Sequence, residues 1–380
     1  MGDRKLCVIK NSSLLRPSAY IVREKEAYNF LINKLAQLTC AKRGEFPGCN
    51  PISLLKSDGH LLDGGSLCGL KSDGVRYIMM MCKNITGASV CVFIDRTMTI
   101  FEAEVWGQRD FFQGTVCDGE LVWDYSKGNT PSKTYLMFDL YVDRGRICTD
   151  IYSERLKRID AMLLTREMSG TDRVEHMLCE QNKICCMNNA SDLFLVPKQF
   201  VNINYMSRLW QSRSDSPYQS DGIIIMRDQK VALNVQKTQN VLKWKSEHTI
   251  DVVLHSKDNM ETYVIYAAHN KRVYLKGCTF SIENNELIAY LVAQKKQDEL
   301  KVLLECTVRI QGANILLFPI KVRVDKQHAN SNQTISKTIQ NVRENMEVHD
   351  VAALVNHHTQ KSTARCGGTQ AGTQAETPRV

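Results

Sequence analysis

Lys71-Ser-Asp-Gly-Val-Arg76, running straight into the apolar stretch Tyr77-Ile-Met-Met-Met81, is the segment on which the reading of this chain turns. It places Lys-x-Asp-Gly-x-Arg at the entrance of a strand. A lysine becomes a nucleophile only when deprotonated, and neighbouring cations and partial burial promote this by lowering its pKa. Arg76 and lysines further along are expected to supply that field. Asp73 and Gly74 suit a tight turn that lets phosphate approach the backbone. The same tetrapeptide also occurs at Lys56 to Gly59, but His60 and Leu61 follow it and no arginine does, so context selects the second copy. The neighbouring Gly64-Gly-Ser-Leu-Cys-Gly69-Leu-Lys71-Ser72 nearly spells a P-loop. It fails because Leu70 separates the last glycine from the lysine, whereas loop amides and amine must converge on the phosphates.

Outward from this motif, short β-rich runs separated by polar turns are predicted at Val75 to Cys82, Ser89 to Ile94, Met98 to Ala103 and Gly119 to Trp123. They predict a mainly antiparallel sheet. Helical spacing is present at 24–41, where Ala27, Phe30, Leu31, Leu35 and Leu38 recur, and is predicted again at Ser153 to Met168 and about 171–187. Buried strands follow at Gly222 to Arg227 and Asn240 to Lys245. Helices between strand groups make an α+β plan. From His248 onward many short strands, Thr249 to His255, Thr262 to Ala268, Lys301 to Ile310 and Ile315 to Val324, suit a small barrel. Ile335 to Val355 returns to helical spacing, and residues 357–380, rich in Thr, Gln, Gly and Ala, are expected to form a disordered tail.

The bulk numbers bound the function without naming it. At 380 residues there is room for two domains with full cores. A net charge of +8 favours polyanions in the long-range field. Apolar runs such as Ile223 to Met226 and Ile315 to Ile320 are of strand length, so no membrane span is expected. The N-terminal residues lack the apolar core of a signal peptide, which predicts an intracellular chain. In a reducing compartment the 14 cysteines are expected to be thiols, not a disulfide framework. Cys179, Cys185 and Cys186 cluster but lack the paired C-x-x-C spacing of a zinc knuckle, so no zinc site is assigned there.

Further constellations carry chemistry suited to phosphate and ribose. Thr115-Val-Cys-Asp118-Gly-Glu120 puts two carboxylates on one strand face, where they could hold a ribose hydroxyl or a divalent metal. In Tyr135-Leu-Met-Phe138-Asp139-Leu, Phe138 could stack on a purine, or simply fill the core. Ser220-Asp221-Gly222 sets an acidic residue at the mouth of a buried strand, a reasonable Mg²⁺ position. Lys243-Trp-Lys245 aims two lysines to one side, and Arg323-Val-Asp325-Lys326 closes the barrel region with another basic pair.

Taken in order, these motifs resemble the covalent nucleotidyltransferase superfamily of mRNA capping guanylyltransferases and ATP-dependent ligases. The capping branch, in the compact forms of large DNA viruses and unicellular eukaryotes, is matched by Phe46-Pro-Gly-Cys-Asn-Pro51, Ile94-Asp95-Arg96-Thr-Met-Thr99, Phe112-Gln-Gly114 leading to Asp118-Gly-Glu120, and Asp221-Gly222. Lys243-Trp-Lys245 running on to His248-Thr-Ile-Asp251, and Arg323-Val-Asp-Lys326 followed by Asn330, complete the match.

The resemblance implies an α+β two-domain clamp: an adenylation-type nucleotidyltransferase domain with antiparallel sheets (1–246), a C-terminal OB-fold barrel (247–332), a helix returning to the first domain (333–356), and the tail. It implies Lys71 as nucleophile, with Arg76 and Arg96 on sugar or phosphate and Glu120 on ribose. Phe138 would stack on guanine and Lys198 would read the base edge. Asp221 would bind Mg²⁺ or Mn²⁺, and Lys243 and Lys245 would grip the α-phosphate. Arg323, Asp325 and Lys326 would act on the departing phosphates. The implied reaction carries GMP from GTP, through a lysyl-GMP intermediate, to 5′-diphosphate RNA. A separate RNA triphosphatase and the RNA polymerase II C-terminal domain, or viral transcription machinery, are the implied partners. A nucleus, or a cytoplasmic viral factory, is the implied location. The alternatives are an ATP-dependent polynucleotide ligase and a catalytically silent nucleic-acid-binding protein.

Overall fold

The computed structural model describes residues 19–124, 132–163, 184–186, 193–230, 233–234, 237–257, 262–267, 273–274, 278–280, 299–324, 326 and 328–355. Among them, helices and sheets are mixed, and three larger sheets organise the chain. The first runs in the order Ala19–Ile21, Ile100–Ala103, Ser89–Asp95, Val75–Lys83, Thr115–Asp124, Ser132–Asp143 and Arg146–Ile147. Leu193–Pro197 pairs parallel to Ser132–Asp143. Along Val75–Lys83 the side chains alternate between two cores. Tyr77, Met79 and Met81 join Phe93, Phe101 and Phe111 on one face. Ile78, Met80 and Cys82 join Leu31, Ile32 and Leu35 on the other. A strand covered on both faces reads as an unbroken apolar run, which is why this one was conspicuous in the sequence.

The helix covering the second face spans Lys25–Thr39. The Glu24 carboxylate accepts from the amides of Glu26 and Ala27 at its start, and Cys40 ends it in the left-handed region at φ 55°. Its buried residues Leu31, Ile32, Leu35 and Leu38 recur at helical spacing. The other face is covered by the helix Tyr152–Met162, shorter than predicted, whose Ile159 and Met162 enter that core.

The second sheet carries the lysine motif, in the order Val201–Asn202, Leu67–Ser72, Ser220–Met226, Lys237–Lys245 and Asn50–Ser53. Its rear face is packed with Cys68, Ile223, Ile225, Leu242 and Trp244 against Leu54, Ile203, Met206, Met346, Val351 and Val355. The third sheet contains Val273–Tyr274, Thr262–Ala267, Thr249–Lys257, Glu299–Gln311, Asn314–Val322 and Cys278–Phe280. Of the small barrel expected here, the described residues form an open sheet, with no pairing between its first and last strands.

The helical pattern predicted from Ile335 divides into Asn332–Glu344 and a helix at 348–355, separated by Asn345 at φ 42°. Ile335 packs into the third sheet's core, while Met346, Val351 and Val355 pack into the second's. The Trp244 indole N–H donates to the Met346 carbonyl at 2.7 Å, tying this segment to the strand that bears Lys243 and Lys245. The helix predicted at about 171–187 lies mostly outside the described residues. Its described end, Ile184–Cys186, is instead a strand paired with Val105–Gly107. Cys179 and the tail at 357–380 also lie outside, as does Asp325.

Candidate active site

Register brings the lysines together. Gly222 pairs with Lys71 on one side and with Lys245 on the other, while Ile224 pairs with Gly69 and Lys243. Residues in register across neighbouring strands share a face, so Lys71, Lys243 and Lys245 converge on the face opposite the core. Regular alternation would send Asp221 to the core side. A register shift between Ser220 and Gly222 releases it, and its carboxylate meets Lys71 Nζ at 2.7 Å and Lys245 Nζ at 2.6 Å. The Gly222 position admits no side chain: a Cβ would sit 2.1 Å from the Trp244 carbonyl oxygen.

The electrostatics at Lys71 reverse the expectation from sequence. Burial pushes its pKa down, but Asp221, Glu120 and Asp73 outweigh burial and hold it above the ordinary lysine value. Lys71 is therefore a clamped ammonium in this structure. Arg76, expected to depress that pKa, is instead neutralised by Asp118. For Asp221, burial favours the neutral acid, yet the two lysines hold its carboxyl below the usual value. Lys243 makes no ion pair among the described residues. Burial, with the charges of Lys245 and Lys71, lowers it to about 8.

Glu120 and Lys198 form the next pair, at 3.5 Å, and Lys198 Nζ lies 5.7 Å from the centroid of the Phe138 ring. Burial pushes the Lys198 ammonium below its ordinary value. Asp118, read from sequence as a partner of Glu120 in holding ribose or metal, is fully buried and committed to Arg76 and the Tyr141 hydroxyl. That reading is corrected, because the Asp118 carboxylate is enclosed by protein and already neutralises the Arg76 guanidinium.

Arg96 stands exposed on the turn after Ser89–Asp95. Asp95 Oδ1 accepts from the amides of Thr97 and Thr99 and from the Thr97 hydroxyl, and Met98 adopts φ 62°. An Asx turn of this kind fixes the loop that presents Arg96. Behind Phe138, Asp139 and Arg155 form a buried bidentate pair, and the Tyr152 hydroxyl donates to the Phe138 carbonyl oxygen at 2.6 Å. Sequence reasoning found neither Tyr152 nor Arg155, since nothing in their spacing marks them as supports of a distant strand.

Arg323 and Lys326 fall in a separate cluster. Arg323 meets Asp251 at 2.9 Å and Glu305 at 3.1 Å, and Lys326 pairs with the other Asp251 oxygen. The Asn330 amide donates to the Asp251 carbonyl oxygen, and Asn330 Oδ1 accepts from the Asp251 amide, both at 2.8 Å.

The lysine copy at Lys56 lies elsewhere, in a 3₁₀ helix, and is exposed. The P-loop alternative is settled by the same geometry, because Lys71 ends a strand and no helix follows to aim its amides at phosphate.

Three lysines gathered at Asp221, beside the Glu120 carboxylate and the Phe138 ring, make a basic site able to take a phosphate next to a ring that can stack. The chain belongs to the mRNA capping enzyme family, whose catalytic domain is matched by residues 17–247. Among solved structures it is similar to mycobacterial DNA ligase D complexed with ATP and MES, at 13% identity over 73% of this chain and 96% of that one, with a TM-score of 0.38. The ligase domain of M. tuberculosis LigD is similar at 12% identity, over 73% and 96% of the respective chains, with a TM-score of 0.31.

Proposed function

We propose that the protein is a GTP:RNA guanylyltransferase that carries GMP on Lys71. The observation that supports this best is the convergence of Lys71, Lys243, Lys245 and Asp221 on one sheet face within a capping-enzyme catalytic domain. In the first step Lys71 Nζ, once parted from Asp221 and its proton, attacks the α-phosphorus of GTP. An N–P bond forms, the bond to the bridging oxygen breaks, and pyrophosphate leaves in line. Lys243 and Lys245 stabilise the charge that develops on the α-phosphate, Glu120 receives the ribose, Phe138 and Lys198 receive the base, and Arg96 reaches phosphate or sugar. In the second step the terminal phosphate oxygen of 5′-diphosphate RNA attacks the phosphoamide, forming the 5′-5′ triphosphate linkage and freeing Lys71.

The donor set fits a divalent cation. Asp221 is partly exposed and is a single carboxylate, and Mg²⁺ characteristically takes one or two carboxylates plus water and substrate phosphates. Mg²⁺ or Mn²⁺ at Asp221 would supply neutralising charge to the phosphates.

The C-terminal strands are proposed to be an OB-fold whose Arg323, Asp325 and Lys326 approach the β- and γ-phosphates on closure. A separate RNA triphosphatase would supply the diphosphate end. The RNA polymerase II C-terminal domain, or viral transcription machinery, would recruit the enzyme, in the nucleus or in a cytoplasmic viral factory.

The test is incubation of the protein and of Lys71→Ala with Mg²⁺ and α-labelled GTP or ATP, followed by a search for acid-labile, alkali-stable label on the denatured chain. Label from GTP alone, lost in Lys71→Ala, is the expected result. Label from ATP alone would make it a ligase, and label from neither would leave a nucleic-acid-binding protein.

A further inference from the structure

Arg76 is engaged by protein before any nucleotide arrives. Its Nε donates to Asp118 Oδ1 at 2.9 Å, one Nη donates to Asp118 Oδ2, and the other donates to the Cys49 carbonyl oxygen at 2.7 Å. The guanidinium carbon lies 5.3 Å from the centroid of the Phe46 ring and 5.5 Å from that of Phe138. Asp118 also accepts from the Tyr141 hydroxyl. Gly48 makes the close approach possible, since a Cβ there would lie 2.3 Å from an Arg76 nitrogen and 2.7 Å from an Asp118 oxygen. On the same face Arg76 is in register with Glu120. A bidentate guanidinium with both ends held, only 10% exposed and wedged between two rings, is fixed in place.

The geometry points to Asp118 as a positioning residue for the nucleotide pocket: through Arg76 it fixes Phe138 and Glu120 in the arrangement that receives base and ribose. Arg76 then serves as a brace between two aromatic rings. The inference rests on the nucleotidyl-transfer reading, because Phe138 and Glu120 matter here only as nucleotide contacts. Two other buried carboxylates hold arginines at a greater remove from the nucleotide contacts. Asp139 with Arg155 supports the same strand but from behind, touching Phe138 only through its backbone by way of Tyr152. Asp251 holds Arg323 and Lys326 and, among the described residues, has no ion pair with Lys71, Lys243 or Lys245.

The experiment follows the rate of covalent labelling of the full chain against GTP concentration. Asp118→Asn keeps the shape and removes the charge, and Tyr141→Phe removes one hydroxyl contact while keeping the ring. Loss of one charge-assisted contact in a chain of contacts is expected to raise the KM for GTP about 10-fold in Asp118→Asn and about 3-fold in Tyr141→Phe, with the saturating rate changed less than about 3-fold. A lowered melting temperature alone, with KM within about twofold of the parent in both variants, would overturn the proposal, as would a loss confined to the saturating rate. If Asp118→Asn does not fold, Tyr141→Phe decides by the same criterion. Parent protein that takes no label from any nucleotide removes the transfer reading and this inference with it. Labelled parent with unmoved variants removes the inference alone.

Discussion

The tetrapeptide Lys-Ser-Asp-Gly stands at 56–59 and again at 71–74, and the two copies are folded into unrelated structures. The first lies in the 3₁₀ helix Lys56–Leu61. There the Asp58 carboxylate turns back to accept the Leu55 amide at 3.0 Å, and the Lys56 amide donates to Glu344 at 2.7 Å. The second is divided between two strands: Lys71 and Ser72 end one, and Asp73 and Gly74 make the corner into the other. The Asp73 amide donates to the Gln219 carbonyl at 2.8 Å. Lys56 projects from the surface, whereas the Lys71 side chain is 21% exposed among Asp221 and the other lysines. Four identical letters thus leave one aspartate capping a local turn and the other at a strand corner. Tertiary pairing with Ser220–Met226, not the tetrapeptide, makes the difference.

The contrast breaks most severely if the wrong lysine is removed. Lys71→Ala is expected to lower covalent labelling by at least about 1,000-fold, since it removes the amine that would bond to phosphorus; undiminished label in that variant would transfer the role to Lys56. The corner itself is next. A Cβ at Gly74 would lie 2.4 Å from the Leu121 carbonyl oxygen, so Gly74→Ala should cost about 2–4 kcal/mol, read as a lowered urea midpoint at unchanged slope.

The crowding of cations that distinguishes the second copy carries a pH signature. Lys243, lowered to about 8, is charged below that pH and neutral above it. Its grip on phosphate is therefore present at neutral pH and lost as pH rises. KM for GTP should climb about 3- to 10-fold between roughly pH 7 and 9, and Lys243→Arg, which stays charged, should flatten the profile. A flat profile in the parent would remove Lys243 from the phosphate contacts. The smallest effect belongs to the first copy: Lys56→Ala should change stability by less than about 0.5 kcal/mol and labelling by less than about twofold.

Much of the strand plan was legible. Predicted Ser89 to Ile94 is observed as Ser89–Asp95, and predicted Thr249 to His255 as Thr249–Lys257, because β-branched and aromatic residues between polar turns leave little alternative. The strand carrying Lys71 was not read as one, since Gly69 and Lys71 interrupt its apolar character, and its stability comes from partners on either side. The third sheet shows the same limit: its strands were legible, but their closure depends on end-to-end pairing, which no local pattern encodes. At the site, Lys71, Asp221, Lys243 and Lys245 were grouped by motif order, and the fold brings them into one cluster. Asp118 was grouped with Glu120 by strand alternation. Alternation gives the face of a side chain but not its depth, and Asp118 is fully buried against Arg76.

The sequence by itself determined where most of the strands and the helix at 25–39 run, the α+β class, and the grouping of Lys71, Asp221, Lys243 and Lys245, because periodicity and residue type are local properties. Only the tertiary structure decided the charge state of that chemistry. Whether Lys71 is a free amine or a clamped ammonium, and which carboxylate neutralises Arg76, depends on groups brought within hydrogen-bond distance from 150 and 42 residues away. Coulombic interaction and desolvation are set by distance in space and depth of burial, and neither is written in the order of the chain.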